Sequence, residues 1–170
     1  MYNLSPQEKL ILNNISKQFE ILPGDLYSLI NFESKWNPTA SNPYSTAKGL
    51  IQFIDSTAND LGYRNSQDLI NKNPTILDQL QKPVYDYLKK FAPYNYSKQK
   101  LYMAVFYPKY MNVDINTQFP DSIKSVNPGI QTVQDYIQLV DRNRAAGTIL
   151  TGSTIFLLLA LFFILKKRQK

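Results

Sequence analysis

Glu33 is the side chain of this sequence best suited to acid and base chemistry. The chain has three glutamates, and Glu8 and Glu20 lie at the two ends of the first predicted helix, where they serve capping and solubility. Glu33 is instead flanked by Phe32 and Trp36, which predicts an apolar and partly desolvated surrounding. Because desolvation disfavours the charged form, it raises the pKa of a carboxyl group, and the group can then act as a general acid near neutral pH.

Position alone also allows an ordinary structural role for Glu33. A carboxylate at a helix end is often paired with a neighbouring cation, here Lys35, or with a loop amide. Asp55 is the one acid close enough in sequence to act as a second group, for instance as a base for water. We predict instead that Asp55 is the N-cap of a helix that starts at Ser56.

The composition excludes several kinds of catalytic site. The chain contains no cysteine and no histidine. Thiol nucleophiles, serine–histidine triads, thiolate or imidazole metal sites and disulfides are therefore excluded, and the chemistry must use carboxylates, hydroxyls, amides or lysines. We predict that the protein needs no metal and no cofactor.

The charge of the chain does not favour a nucleic-acid partner. The net charge is +6, but Lys166, Lys167, Arg168 and Lys170 supply four of these charges and leave +2 for residues 1–165. A nucleic-acid-binding domain needs a basic face, whereas the lysines before residue 145 are scattered among acids. We therefore predict no nucleic-acid binding.

Helix-start signals and apolar spacing predict helices along most of the chain. Five of them span about Ser5 to Phe19, Pro23 to Glu33, Ile76 to Phe91, Ser97 to Tyr107 and Thr132 to Arg144. A further helix is predicted to start at Ser56, and the helix from Ile76 is predicted to be kinked or broken at Pro83. A polar loop follows Glu33, from Asn37 to Lys48, and no alternation of period two indicates a strand. The sequence predicts an all-α domain over residues 1–144, with at most a short hairpin in the loops.

Residues 145–165 form a run without a charged side chain. These 21 residues match the roughly 30 Å hydrocarbon core of a bilayer at helical rise, so we predict one transmembrane helix and a basic tail at 166–170. The positive-inside rule then places the domain outside the cytoplasm, although the start of the chain shows no signal peptide. A single-pass protein of a virion membrane reconciles these signals, and the bacterial inner membrane is the alternative location.

The segment around Glu33 resembles a known family of enzymes. ESKWNPTA at residues 33–40 is followed by AKGLIQFI at 47–54, STA at 56–58 and LG at 61–62. This series resembles the lytic transglycosylases, whose pattern is E-S-x-[FW]-[ND]-P, then G-L-M-Q, then T-A, and whose fold is similar to goose-type lysozyme. The resemblance is sharp over residues 29–62, faint from there to about residue 136, and does not include the predicted membrane span.

The resemblance implies a role for several residues of these motifs. Glu33 would be the catalytic acid and base, while Asn42, Ser45 and Gln52 would help to hold the sugar. Gly49 would let the backbone approach the glycan closely, since it has no Cβ. Asn42 stands where the family commonly has serine, a departure that bears on substrate contacts.

Two tyrosines are further candidates for substrate binding that the resemblance implies. The family's later A-Y-N motif has its best counterpart in Val105-Phe106-Tyr107-Pro108, where the tyrosine is kept and proline replaces asparagine. A final tyrosine is often found on the closing helix of the family, and Tyr136 can supply it. Both tyrosines can equally be core residues. Asp55 also departs from the pattern, because the family usually has proline there.

The resemblance implies cleavage of peptidoglycan without water. A protonated Glu33 would donate to the oxygen between N-acetylmuramic acid and N-acetylglucosamine, and then remove the C6 hydroxyl proton so that a 1,6-anhydro end forms. No second carboxylate of the kind that glycosidases use is evident in the motif. The expected partners are glycan strands, a bilayer through residues 145–165, and neighbouring virion membrane or capsid proteins.

Several alternatives stay open from the sequence. The chain looks like virion-associated lytic proteins of phages that contain a membrane, with a role in entry or lysis, and a bacterial wall-remodelling enzyme is the nearest variant. A lysozyme-type hydrolase that uses water is an alternative reaction. A glycan-binding structural membrane protein of a virion, without catalysis, is the alternative from another class.

Overall fold

The computed structural model describes residues 2–91 and 96–145 as a helical domain. Its α-helices are α1 (Pro6–Gln18), α2 (Pro23–Ser34), α3 (Asp55–Asp60), α4 (Ser66–Lys72), α5 (Ile76–Gln79), α6 (Tyr85–Lys89), α7 (Lys98–Phe106), α8 (Asp121–Lys124) and α9 (Val133–Ala145). A π-helical turn spans Leu80–Val84, and a 3-10 turn spans Pro108–Tyr110. The described residues contain isolated antiparallel bridges but no strand, so the predicted all-α class is confirmed for them.

The first two helices begin where the sequence predicts. Ser5 and Glu8 form a reciprocal capping box, in which the Ser5 amide donates to Glu8 Oε2 (2.7 Å) and the Glu8 amide donates to Ser5 Oγ (3.2 Å). Pro6 and Pro23 occupy the first positions of α1 and α2, where a missing N–H costs nothing. The residues next to each helix start therefore fix both starts.

Helix α2 is the central helix of the domain. Leu26, Leu29 and Ile30 have no exposed surface, and α2 packs against α1, α7 and α9. Lys98 of α7 joins α2 to α9 by two ion pairs, because its Nζ lies 3.6 Å from Asp25 Oδ1 of α2 and 2.8 Å from Asp141 Oδ2 of α9. Because α2 is packed against three helices, polar residues at its end, such as Glu33 and Ser34, are buried as well.

The helical segment around Pro83 is continuous. A kink or break is predicted at Pro83; no break occurs, because α5, the π-helical turn and α6 follow one another without interruption from residue 76 to residue 89, and the kink stays a prediction. Proline has no N–H to donate and its ring crowds the preceding turn of an α-helix. The wider π turn accommodates Pro83, so the chain keeps its helical course.

The predicted role of Asp55 as an N-cap is wrong. Asp55 is the first residue of α3, which has Ile54 at the N-cap position and no side-chain capping bond. Asp55 Oδ1 instead accepts hydrogen bonds from Ser66 N (2.9 Å) and Ser66 Oγ (2.8 Å) at the start of α4. The carboxylate finds two donors there that its own helix does not provide, and it joins α3 to α4.

The predicted membrane span cannot be compared with the structure. Residues 146–165 of the span and the basic tail at 166–170 lie outside the described residues. Within residues 2–91 and 96–145, the structure contains no helix with the length and apolar character needed to cross a bilayer.

Candidate active site

The carboxyl group of Glu33 is buried at the end of α2. Only 5% of Glu33 is exposed, because its helix is packed on several sides. Its Oε1 accepts a hydrogen bond of 2.8 Å from the hydroxyl of Tyr136. Its Oε2 is buried and has no hydrogen-bond partner within the described part of the chain. One oxygen is thus held in place and the other is left for a further donor or acceptor.

Burial gives Glu33 the pKa of a group that exchanges protons near neutral pH. Desolvation raises the pKa of Glu33 from 4.5 to about 7, and it outweighs the hydrogen bond from Tyr136 and the charge of Lys35, which both lower it. The pKa of Tyr136 is raised well above its ordinary value by burial and by the Glu33 charge. Tyr136 therefore stays protonated and acts as the donor of the pair.

Tyr136 is fixed by aromatic rings from two other helices. It lies on α9 and is 1% exposed. Its ring stacks on Phe106 of α7, with centroids 4.1 Å apart and planes at 15°, and it meets the ring of Phe32 of α2 at 5.7 Å and 86°. The predicted closing-helix tyrosine is therefore brought to Glu33, although 103 residues separate the two in sequence.

The chain turns sharply straight after Glu33. Lys35 and Trp36 both have left-handed backbone conformations, with φ of 55° and 63°. Such conformations are strained for residues with a Cβ and persist only where the surroundings enforce them. Trp36 is 1% exposed, and its ring lies 5.1 Å from the ring of Tyr27 and 6.0 Å from that of Tyr2. This packing stabilises the turn, and the next loop therefore begins beside the end of α2.

The loop over residues 37–53 folds back on itself as a small hairpin. Ser41 pairs with Lys48, and Lys48 pairs with Phe53, as antiparallel bridges. The Gly49 amide donates to the Ala40 carbonyl (2.8 Å), which closes the base of the hairpin. The short hairpin allowed for in the loops is therefore present, and it holds four of the predicted substrate-binding residues.

Asn42 and Ser45 both bond within the tip of this loop. Asn42 is 3% exposed, and its Oδ1 accepts from the Tyr44 amide (2.9 Å). Ser45 Oγ accepts from the Ala47 amide at 3.2 Å. These side chains brace the loop, and their contact with a sugar stays a prediction.

Gly49 and Gln52 both have left-handed backbone conformations near the exit of the loop, with φ of 77° and 55°. Gln52 is 8% exposed, and its Nε2 donates to the Gly49 carbonyl at 3.0 Å. A Cβ on Gly49 would lie 2.6 Å from Oε1 of Gln79, which is too close for any two such atoms. Packing against Gln79 thus explains why this position has no side chain, while a close approach of its backbone to a glycan stays a prediction.

Tyr107 lies in an aromatic cluster beyond α7, which Phe119 connects to Phe106. It directly follows α7 and is half-buried, with its ring 4.8 Å from that of Tyr110 and 6.1 Å from that of Phe119. Phe106, its neighbour in sequence, is the residue that stacks on Tyr136. A substrate contact by Tyr107 stays a prediction.

Two residues in the domain, the partly buried Tyr87 and the buried Gln79, were not expected from the sequence to take part in the site. Tyr87 of α6 donates to the Ala104 carbonyl (2.6 Å), and its pKa is raised mainly by burial, with smaller contributions from the charges of Asp60 and Glu33. Gln79 of α5 has no exposed surface and bonds to the loop. Tyrosine and glutamine are ordinary in helices, so no pattern in the sequence singles out either residue.

The described residues contain no cluster of three or more acidic side chains placed to hold a metal ion. The geometry that they do contain is one carboxyl group with one oxygen fixed by a hydrogen bond, a buried second oxygen without a hydrogen-bond partner among the described residues, and a pKa of about 7. Such a group can give a proton to a leaving oxygen and take one from a hydroxyl.

Fold and site together define a helical domain with a buried carboxyl group of raised pKa at the end of its central helix. A family model, the transglycosylase SLT domain, matches residues 11–84. This segment, less than half of the chain, includes Glu33 and the loop at 37–53. The predicted relation to lytic transglycosylases is therefore supported over this part of the chain. No curated protein matches the sequence.

Proposed function

We propose that this protein cleaves the β-1,4 bond between N-acetylmuramic acid and N-acetylglucosamine in peptidoglycan and leaves 1,6-anhydromuramic ends. The observation that carries the proposal is the buried Glu33, with Tyr136 on one oxygen and a pKa of about 7. The match of residues 11–84 to the transglycosylase SLT domain supports the choice of substrate.

The first step transfers a proton from Glu33 to the glycosidic oxygen. At neutral pH a large share of Glu33 is protonated, because its pKa is about 7. The proton leaves Oε2 and the bond between C1 and the leaving oxygen breaks, with the substrate's own groups stabilising the cation. The hydrogen bond from Tyr136 to Oε1 stabilises the carboxylate that results.

The second step returns the proton to Glu33. The carboxylate takes the proton of the C6 hydroxyl, and the C6 oxygen bonds to C1 of the same muramyl residue. Glu33 ends in its starting form and no water is consumed. In this scheme Asn42, Ser45, Gly49, Gln52 and Tyr107 contact the sugar.

The arrangement of Asp55 favours this reaction over hydrolysis. A water-using enzyme needs a second carboxylate to act as base or nucleophile. Oδ1 of Asp55, the acid that the sequence offers as a second catalytic group, accepts two hydrogen bonds from Ser66 and joins two helices. This structural use of Asp55 supports the single-carboxylate mechanism.

A membrane location remains part of the proposal. The uncharged residues 145–165 and the basic tail at 166–170 support a single C-terminal anchor, with residues 1–144 as the catalytic domain, on a virion membrane or a bacterial inner membrane. The membrane-containing phage, for which cutting would serve entry or lysis, is the setting that we favour. Flotation of the full chain with liposomes tests the anchor, and a chain that stays at the bottom of the gradient contradicts it.

Zymography on peptidoglycan tests the catalytic part of the proposal. We expect clearing by the wild type and by Glu20→Gln, a matched change at an exposed glutamate, and none by Glu33→Gln. Clearing by Glu33→Gln equal to that of the wild type contradicts the assignment, and no clearing by any form supports the non-catalytic glycan-binding alternative. Mass spectrometry of the products then separates the reactions, since reducing muramic acid ends indicate a hydrolase.

A further inference from the structure

Gln79 is a fully buried amide that bonds to three backbone groups. It has no exposed surface. Its Oε1 accepts from the Leu50 amide (2.8 Å), and its Nε2 donates to the carbonyls of Pro38 (2.7 Å) and Asn73 (3.0 Å). The side chain uses both donors and one acceptor, which leaves little freedom for any other arrangement.

These bonds join both ends of the loop over residues 37–53 to the scaffold. Pro38 lies at the entry of the loop, five residues after Glu33, and Leu50 lies at its exit. Asn73 lies between α4 and α5, so the third bond anchors the amide outside the loop. One side chain thereby fixes the distance between the two ends of the segment that starts beside the catalytic acid.

The absence of a side chain at Gly49 makes room for this amide. A Cβ on Gly49 would lie 2.6 Å from Gln79 Oε1 and 3.1 Å from Cγ2 of Ile70. The Gly49 backbone has φ of 77°, a region that residues with a Cβ rarely adopt. The glycine of the G-L-x-Q motif and a glutamine 30 residues later are therefore complementary in shape.

We propose that Gln79 is the positioning residue that holds the loop at 37–53 in the conformation that binds the glycan. The inference rests on the proposed function and adds to it a residue that does not touch substrate. Without the amide, three backbone groups lose a partner, two of them in buried hydrogen bonds, and the loop samples other conformations. The apparent affinity for substrate then falls by the fraction of molecules whose loop is competent, whereas the chemistry at Glu33 is unchanged once substrate is bound.

Gln79→Met tests this role because methionine is close to glutamine in length and cannot form the bonds. With the full chain and soluble glycan strands, we expect KM to rise by about tenfold or more, the factor that corresponds to one buried hydrogen bond, with kcat nearly unchanged. Hydrogen exchange of the Leu50 amide should accelerate by at least about tenfold. Gln79→Glu keeps an acceptor for Leu50 and serves if Gln79→Met does not fold, with the same direction in KM.

Asn127→Leu is the matched control. Asn127 is a buried amide whose Nδ2 donates to a backbone carbonyl, that of Ile123 (2.8 Å), outside the loop. A simple loss of folded protein lowers kcat per mole of chain at constant KM, and this is what we expect from the control. Gln79 variants with wild-type KM, or with unchanged exchange at Leu50, overturn the proposal.

Failure of the proposed function gives a different pattern. If the wild type does not cleave glycan, the proposed reaction is wrong, and binding to sedimented peptidoglycan replaces KM as the measure. Weaker binding by Gln79→Met than by Asn127→Leu then supports the positioning role, and equal binding overturns it.

Discussion

The stability of this protein should fall as pH rises through the range in which Glu33 loses its proton. Burial raises the pKa of Glu33 from 4.5 to about 7, so the folded state holds this proton more tightly than the unfolded chain does. Between these two values the folded state binds more protons, and the free energy of unfolding therefore decreases with pH. The stabilisation is fully present below pH 4.5 and is lost as pH rises through about 7.

The size of this effect follows from the two pKa values. Each pKa unit corresponds to about 1.4 kcal/mol, so a change from 4.5 to about 7 gives a loss of about 3 kcal/mol between pH 4.5 and pH 8. Few other side chains compete in this window, because the sequence has no histidine. Asp68, Asp121 and Asp135 have lowered pKa values, and their effects fall at lower pH.

Glu33→Gln removes the titrating group and tests this reasoning. Urea unfolding followed by circular dichroism at pH 5, 6, 7 and 8 should show the decline in the wild type and in Glu20→Gln. The decline should be absent in Glu33→Gln, whose stability at pH 8 should approach or exceed that of the wild type. A wild-type stability that is equal at pH 5 and pH 8, or a decline that persists in Glu33→Gln, refutes the assignment of a raised pKa to this carboxyl group.

Two further predictions concern Tyr136 and Gly49. Tyr136→Phe removes the hydrogen bond that stabilises the Glu33 carboxylate, so kcat should fall by about tenfold and the alkaline loss of activity should occur about one pH unit higher. The control is Tyr96→Phe, which loses a buried hydrogen bond to the Leu88 carbonyl and should keep the wild-type pH profile of activity; identical profiles for the two variants contradict the mechanism. Gly49→Ala combines a positive φ with a distance of 2.6 Å between the new Cβ and Gln79 Oε1, and it should lower the free energy of unfolding by about 2 kcal/mol or more. Gly62→Ala is the control, because Gly62 has φ of 85° but open space around it, and it should cost about 1 kcal/mol. Equal losses of the two variants in urea unfolding contradict the steric argument.

Interactions between close neighbours in sequence made several elements predictable. The capping box of Ser5 and Glu8, and the prolines at the first positions of α1 and α2, use groups no more than a few residues apart. Their hydrogen bonds form whenever the local chain turns into a helix, whatever packs around it. The motif at residues 33–62 is also local, and it indicated both the acid and the family that the match at 11–84 supports.

Asp55 shows where local reasoning stops. An aspartate before Ser-Thr-Ala is a reasonable N-cap, but the structure offers it two donors from Ser66, which lies 11 residues away. No residue near Asp55 in the sequence indicates that Ser66 will be its partner. Which partner a polar side chain takes depends on which helix end packs beside it.

The sequence by itself determined the helical class and the main helix starts and singled out Glu33 as the candidate acid, because each depends on residue types and spacings within one or two turns. Only the tertiary structure decided that Tyr136 bonds to Glu33 across 103 residues and that Gln79 holds both ends of the loop. Packing of α2, α7 and α9 excludes water from the pair of Tyr136 and Glu33. In both cases a buried polar group depends on whichever partner the fold brings within reach. The raised pKa of Glu33 has the same origin, since desolvation is a property of the assembled core.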